Sequence, residues 1–200
     1  MDVKKRTLSS FGWLNVTQFL GALNDNVFKF LVIFFLVNQL KQEANTTQAL
    51  ATMLFVVPFL IFSHAAGVLA DRFSKRHIVV AAKFAELGVM ALGFVALLAG
   101  SPVMLYALLF VMCTQSAFFG PSKYGIIPEL VGEHRLSQAN SFLVSLSYLA
   151  IIIGSFLPSF FVDVLFKGNF PALAGFCVVV AMLGVLTSQR IAVTPAVGAR

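Results

Sequence analysis

Charged residues are scarce in this chain. Only 11% of its 200 residues are Asp, Glu, Lys or Arg, whereas an ordinary soluble domain is roughly a quarter charged. Hydrophobic residues make up 59% of the sequence, so a water-soluble fold would have too little polar surface to cover itself. The composition therefore excludes an ordinary soluble domain and indicates a membrane protein.

Patterns that support catalysis or metal binding are also missing. The two cysteines, Cys113 and Cys177, fall inside apolar runs, where they behave as small apolar residues rather than as a disulfide or a metal site. The sequence has no Gly-rich phosphate loop, no metal-ligand cluster, and no His followed four residues later by Asp. We therefore predict that the chain is not an enzyme and carries no cofactor and no metal.

What the sequence does have is long apolar runs. A helix needs roughly 20 mostly apolar residues to cross a bilayer, and six such runs lie at about 11–38, 48–70, 78–99, 103–120, 138–162 and 170–187. Continuous runs predict helices, because a barrel would show short alternating strands instead. The sequence predicts an all-α membrane protein in which residues 1–189 form a six-helix transmembrane domain and residues 190–200 a cytoplasmic tail or the start of a central linker.

The net charge of +6 reports orientation rather than nucleic-acid binding, since the basic residues cluster at helix ends. Lys and Arg accumulate in cytoplasmic loops, and placing the amino terminus inside leaves only Lys41 and Lys167 outside. Ten basic residues then fall inside: Lys4, Lys5, Arg6, Arg72, Lys75, Arg76, Lys123, Arg135, Arg190 and Arg200. We predict that both termini are cytoplasmic.

The first apolar run carries a polar stripe. Spacing at 100° per residue brings Asn15, Gln18, Asp25, Asn26 and Lys29 onto one arc of the helix. Lipid would penalise this arc, so it must face protein or a water-filled cavity, and Asp25 and Lys29 can partly neutralise each other. We favour a cavity lining over a structural ion pair. Asn24 projects to the opposite side, where we expect a hydrogen bond to a neighbouring helix.

Lys123 follows the Gly120-Pro121 pair at the predicted end of the fourth span, where it could meet a phosphate as a point charge. An ordinary interfacial lysine is the alternative. In the third span, Lys83 and Glu86 are interpreted as an interfacial pair in which Lys83 reaches the membrane boundary.

The fifth span also has a hydroxyl-rich face. Five of its residues share one side by helical spacing: Ser141, Ser145, Tyr148, Ser155 and Ser159. Small hydroxyl residues allow helices to approach closely, so we expect this face to pack against another helix. Tyr148 is its single candidate cavity residue.

The segment between the second and third spans resembles the G-x-x-x-D-R-x-x-K/R-K/R loop of the major facilitator superfamily. The matching residues are Gly67, Asp71, Arg72, Lys75 and Arg76. In that family the loop is understood to latch the two halves of the transporter in one alternating-access state. The resemblance implies that this chain is the amino-terminal half of a major facilitator fold and that a second six-helix half is its partner. We expect Gly67 to let two helices touch.

A narrower resemblance is carried by three segments: 18–29 (Gln-Phe-Leu-Gly-Ala-Leu-Asn-Asp-Asn-Val-Phe-Lys), 120–130 and 139–141. These look like the bacterial lysophospholipid transporters, including versions fused to acyltransferase and acyl-carrier-protein synthetase domains. The resemblance implies inward movement of lysophospholipids such as lysophosphatidylethanolamine across the bacterial inner membrane. Asp25, Asn26, Lys29, Gln18, Lys123 and Tyr148 are then the candidate substrate- or ion-binding residues.

Two other functions fit the same sequence. Another major facilitator could export amphipathic drugs, since the loop after the second span is shared across the superfamily. The chain could also be a membrane partner that transports nothing by itself.

Overall fold

The computed structural model describes residues 3–165 and 168–192, and within these ranges the chain forms helices and no strand. Seven α-helices follow one another: α1 (Val3–Asn38), α2 (Ala44–Arg72), α3 (Lys75–Ala99), α4 (Pro102–Gly125), α5 (Ile127–Val131), α6 (Leu136–Phe160) and α7 (Phe170–Gln189). A 3-10 turn, Glu133–Arg135, precedes α6, and a π-helical turn, Phe161–Leu165, extends it. Six segments are long and apolar enough to cross a membrane, so the predicted six-span all-α fold class is confirmed.

The fourth span is longer than the apolar run suggested. The predicted span ends at 120, but α4 continues through Pro121 to Gly125. Proline is tolerated in membrane helices because neighbouring groups satisfy the backbone that it leaves unpaired. The short helix α5 follows α4, and its buried Ile127 and Leu130 pack into the bundle.

Three of the membrane helices, α2, α4 and α7, begin at a residue whose side chain caps the helix. Glu43 caps α2 by accepting hydrogen bonds from the backbone N–H groups of Thr46 at 2.6 Å and Asn45 at 2.9 Å. Hydrogen bonds from Thr46 and then Asn45 lower the pKa of Glu43 below its ordinary value. Ser101 caps α4 by accepting from the N–H of Met104, and Asn169 caps α7.

Helix α1 lies at the centre of the bundle and packs on α6 and α7. Helix α2 packs on α4, and α3 packs on α4 and α7. The main apolar core gathers around the second half of α1, where Val27, Phe28 and Leu31 are fully buried. Helices α2 and α6 are the most exposed, with large apolar side chains such as Leu60 and Ile152 on their surfaces.

Basic side chains join the helices at the end of the bundle where α3 begins. Lys75 forms an ion pair with Glu129 of α5 at 2.7 Å, and Arg76 donates to the backbone oxygens of Gln189 and Ile191, both at 3.1 Å. This end therefore holds α3, α5 and the end of α7 together.

The residues that resemble the major facilitator loop lie mostly in helices and not in a loop. Asp71 and Arg72 end α2 on the exposed surface, and only Phe73 and Ser74 separate α2 from α3. A Cβ placed on Gly67 meets no atom within 4 Å. Gly67 therefore makes no close helix contact among the described residues, and its expected role between two helices stays a prediction.

Three sequence predictions fall outside the described residues: Lys167, the tail from 193 to 200, and with it Arg200. The division into a domain at 1–189 and a tail at 190–200 stays a prediction.

Candidate functional site

A cavity of about 490 Å³ lies among α1, α2, α4 and α6. Helix α1 contributes the polar residues Gln18, Asp25 and Asn26 to its lining, and α2 contributes the apolar residues Phe55 and Phe59. Small-molecule sites in proteins commonly measure 300–1,000 Å³ and combine apolar walls with a few placed polar groups. The cavity therefore has the size and the two-sided chemistry of a site for an amphipathic molecule.

Asp25 is the acidic group of this cavity. Ser116 of α4 donates from its Oγ to Asp25 Oδ2 at 2.6 Å, and Gln115 Nε2 donates to Ser116 Oγ at 2.9 Å. The other carboxylate oxygen, Asp25 Oδ1, is buried and has no hydrogen-bond partner among the described residues. Buried polar atoms are normally paired, so Asp25 Oδ1 is an exception that a proposal for this cavity has to explain.

Lys123 is held at the cavity by α1 and α6. Its Nζ donates to Gln18 Oε1 at 3.1 Å, and Gln18 Nε2 donates to Ser147 Oγ at 2.7 Å and to the Leu143 carbonyl at 3.2 Å. Because α4 continues past Pro121, Lys123 is a helical residue that faces the cavity and not the loop residue that the sequence suggested.

Two of the six predicted site residues do not line the cavity. The Lys29 Nζ lies 4.8 Å from the centroid of the Phe55 ring, within the range of a cation–π interaction. In the described residues Lys29 forms no ion pair with Asp25, so the expected neutralisation between these two groups is not observed. The carboxylate turns instead towards Ser116 on α4.

Tyr148 is 64% exposed on the outer side of α6. Its neighbour Ser147 lines the cavity instead, because Leu143, Ala150 and Gly154 mark the face of α6 that packs on α1. Ser141 and Ser145 are also exposed, and each donates to the carbonyl four residues earlier in its own helix. The expectation that this hydroxyl face packs on another helix is therefore wrong for these residues of the described chain.

The interpretation of Lys83 and Glu86 as an interfacial pair at the membrane boundary is wrong. Both are buried, at 3% and 1% exposure, and they form an ion pair inside the bundle. Lys83 also lines the cavity. The packing role expected for Asn24 is confirmed, because its Nδ2 donates to Glu86 Oε1 at 3.1 Å and to the Cys177 carbonyl at 3.2 Å.

Sequence reasoning missed Ser147, Ser116 and Lys83 as cavity residues. A signal for Ser147 was present, since it lies on the same face of α6 as Gly154, whose Cβ would come within 2.7 Å of the Leu23 carbonyl on α1. A glycine at such a contact indicates which side of a helix faces its neighbour. No comparable local signal existed for Lys83.

The sequence profile of the Major Facilitator Superfamily matches residues 14–196. The chain belongs to the major facilitator superfamily. Its six membrane-spanning helices make it a multi-pass membrane protein in contact with the lipid bilayer.

Relatives of this major facilitator chain include proteins named lysophospholipid transporter LplT. The protein from Cronobacter sakazakii is 34% identical over 141 residues, which cover 70% of this chain and 33% of the relative. That from Photorhabdus laumondii is 32% identical over 151 residues, covering 74% and 35%, and that from Escherichia coli K12 is 32% identical over 141 residues, covering 70% and 33%. This major facilitator chain thus matches about a third of the length of these relatives, all of which are named as transporters.

Proposed function

We propose that this chain is one half of a transporter that moves lysophospholipids, such as lysophosphatidylethanolamine, across the bacterial inner membrane by alternating access. The proposal is supported by the names of the relatives and by the chemistry of the cavity. A lysophosphatidylethanolamine molecule has an anionic phosphate, a cationic amine and a single acyl chain, and the cavity offers a counterpart to each.

The observation that carries the proposal is the unpaired Asp25 Oδ1 in the same cavity as Lys123. A buried carboxylate oxygen without a partner favours a cationic or donor group of a ligand. Lys123 supplies a positive charge for the phosphate, and Phe55 and Phe59 supply an apolar wall for the first part of the acyl chain. Gln18 and Asn26 add polar groups that orient the head group.

A second six-helix unit would complete the site. Substrates of such carriers are enclosed between two repeats that rock against each other. Helices α2 and α6, which flank the cavity, carry the most exposed faces of the bundle, as expected of surfaces that meet such a unit. Asp71, Arg72 and Gly67 on the exposed end of α2 would then contact the second unit as a latch. Lys75 and Arg76 already fasten α3 within this chain.

The test is equilibrium binding by the purified chain in lipid nanodiscs. We expect lysophosphatidylethanolamine to bind more tightly than monoacylglycerol with the same acyl chain, which lacks both charges. Asp25→Asn should weaken the binding of lysophosphatidylethanolamine about tenfold, because one charge-assisted contact is lost, and should leave monoacylglycerol binding unchanged. Glu43→Gln, which changes a carboxylate in the loop before α2, is the matched control and should alter neither affinity.

The same assay separates the alternatives. Tight binding of a lipophilic cationic dye without binding of lysophosphatidylethanolamine would support drug export and contradict our proposal. Uptake by proteoliposomes that contain this chain alone would show that no second unit is needed. The orientation with both termini in the cytoplasm stays a prediction, which labelling of a Gln42→Cys variant from each side of the membrane with an impermeant thiol reagent tests directly.

A further inference from the structure

Lys83 reaches the cavity from a helix that is not one of its main walls. Helix α3 packs on α4 and α7, yet the Lys83 ammonium lines the cavity among α1, α2, α4 and α6. Burying a lysine inside a membrane protein is costly and commonly marks a functional site. A long side chain that crosses the bundle to arrive there requires an explanation.

Two glycines make the path for this side chain. A Cβ on Gly21 of α1 would overlap the Lys83 Nζ, and a Cβ on Gly184 of α7 would lie 3.4 Å from the Lys83 Cδ. The lysine therefore passes between α1 and α7 at positions where neither helix carries a side chain. Glycine inside a helix is destabilising relative to alanine. The two glycines beside Lys83 therefore lower the stability of the fold, and a function of Lys83 at the cavity would explain their presence.

The ion pair between Lys83 and Glu86 does not hold two helices together, so it does not explain the position of Lys83. Lys83 and Glu86 are three residues apart on the same helix, so their attraction joins no two parts of the fold. Lys75, also buried on α3, differs in this respect, because its partner Glu129 lies on α5. The tie between helices at Glu86 is made by Asn24 of α1, and it would exist without the lysine.

Lys83 and a second lysine of the cavity, Lys123, lie near the same aromatic ring. The Lys83 Nζ lies 5.1 Å from the centroid of the Phe119 ring, and the Lys123 Nζ lies 5.7 Å from the same centroid. An ammonium group has three N–H donors; Glu86 accepts from Lys83 and Gln18 accepts from Lys123. Both groups retain donors, and an anion placed between them would relieve their mutual repulsion.

We propose that Lys83 and Lys123 together form a phosphate subsite in the cavity, with Glu86 and Asn24 as positioning residues that hold Lys83 in place. The ligand class is a phosphate ester. This inference rests on the proposed function, which it deepens by assigning the phosphate to two lysines and leaving Asp25 for the amine. Lys83 is thereby a specificity-determining residue for phosphate-bearing lipids over neutral ones.

The test uses the purified full chain in nanodiscs and a charge-balanced variant, Lys83→Met with Glu86→Gln, which leaves no unpaired buried charge. We expect this double variant to weaken lysophosphatidylethanolamine binding about tenfold or more and to leave monoacylglycerol binding unchanged. Competition with glycerophosphoethanolamine and with inorganic phosphate identifies the source of the phosphate. If the lipid is the ligand, neither competitor displaces it at millimolar concentration, whereas displacement by inorganic phosphate would overturn the assignment to a lipid.

Lys75→Met with Glu129→Gln is the matched control. It also removes one lysine and one glutamate that form an ion pair, but this pair lies outside the cavity. It should leave both affinities unchanged. Gly21→Ala is a second test that keeps every charge and displaces the Lys83 ammonium, because the added Cβ would overlap the Lys83 Nζ. We expect it to weaken lysophosphatidylethanolamine binding selectively, and by less than the double variant does.

Unchanged binding of lysophosphatidylethanolamine by Lys83→Met/Glu86→Gln would overturn the subsite while leaving the proposed function intact. Equal weakening for both lipids would also overturn it, because that result indicates a structural role for the pair. A wild-type chain that does not distinguish lysophosphatidylethanolamine from monoacylglycerol would contradict the proposed function itself, and the subsite with it.

Discussion

Helices α1 and α6 each carry a stripe of polar side chains, and the two stripes meet different surroundings. On α1, Gln18 is buried and Asp25 faces the cavity, and both are hydrogen-bonded to other helices. On α6, Ser141 and Ser145 are exposed, and each donates a hydrogen bond to a carbonyl group of its own helix. A polar stripe on a membrane helix therefore indicates that the helix has a special face, and the position of the helix in the bundle decides what that face meets.

The largest expected effect comes from the contact that sets the rotation of α6. Gly154→Leu places a side chain against the Leu23 carbonyl of α1, which a Cβ alone would approach to 2.7 Å. We expect a loss of about 3 kcal/mol in the free energy of unfolding, as is typical of severe overpacking. Unfolding in mixed detergent micelles measures it.

Gly67→Leu is the control for this substitution, because a Cβ at Gly67 meets no atom within 4 Å. It should change the free energy of unfolding by less than about 0.5 kcal/mol. Equal losses of stability for the two variants would show that the contact of Gly154 with α1 does not cause the effect of Gly154→Leu.

A smaller effect is expected from the polar stripe of α1. Gln18→Leu keeps the approximate volume of the side chain but removes its hydrogen bonds to Ser147, Leu143 and Lys123. Interhelical hydrogen bonds in membranes contribute about 0.6–1.7 kcal/mol, so we expect a loss of about 2 kcal/mol in the free energy of unfolding. A stability equal to that of the wild type would mean that α1 and α6 are not joined through this amide.

The smallest effect is expected on the outer stripe of α6. The side chain of Tyr148 is largely exposed, and its hydroxyl has no hydrogen bond to the residues that the structure describes. Tyr148→Phe should therefore change the free energy of unfolding of the isolated chain by less than about 0.5 kcal/mol. A loss as large as that of Gln18→Leu would place this face in a packed contact and reverse the comparison between the two helices.

Helical spacing was sufficient to find the part of the polar lining that α1 contributes to the cavity. Gln18, Asp25 and Asn26 share one arc of α1, and all three line the cavity. The same spacing gave a wrong result for Tyr148, because its neighbour Ser147 differs from it by only 100° and nothing local distinguishes an inward from an outward face. Lys123 was identified as a candidate although the helix that carries it was predicted to end too early.

The residues around Lys83 in the sequence do not predict where its side chain lies in the fold. A lysine near the start of an apolar helix normally extends towards the membrane surface. Here the side chain turns inward, because glycines at 21 and 184, which are distant in sequence, leave room beside it. That space exists only once α1 and α7 are packed on α3.

The sequence by itself determined that this protein lies in a membrane as six helices and that the polar stripe of α1 must avoid lipid, because both follow from the cost of placing polar groups in hydrocarbon. Only the tertiary structure decided that Lys83 joins Lys123 at the cavity, that Lys29 lies over Phe55, and that the hydroxyl stripe of α6 faces outward. These outcomes depend on which helices are neighbours and how closely they approach, and such contacts are set by residues far apart in the chain.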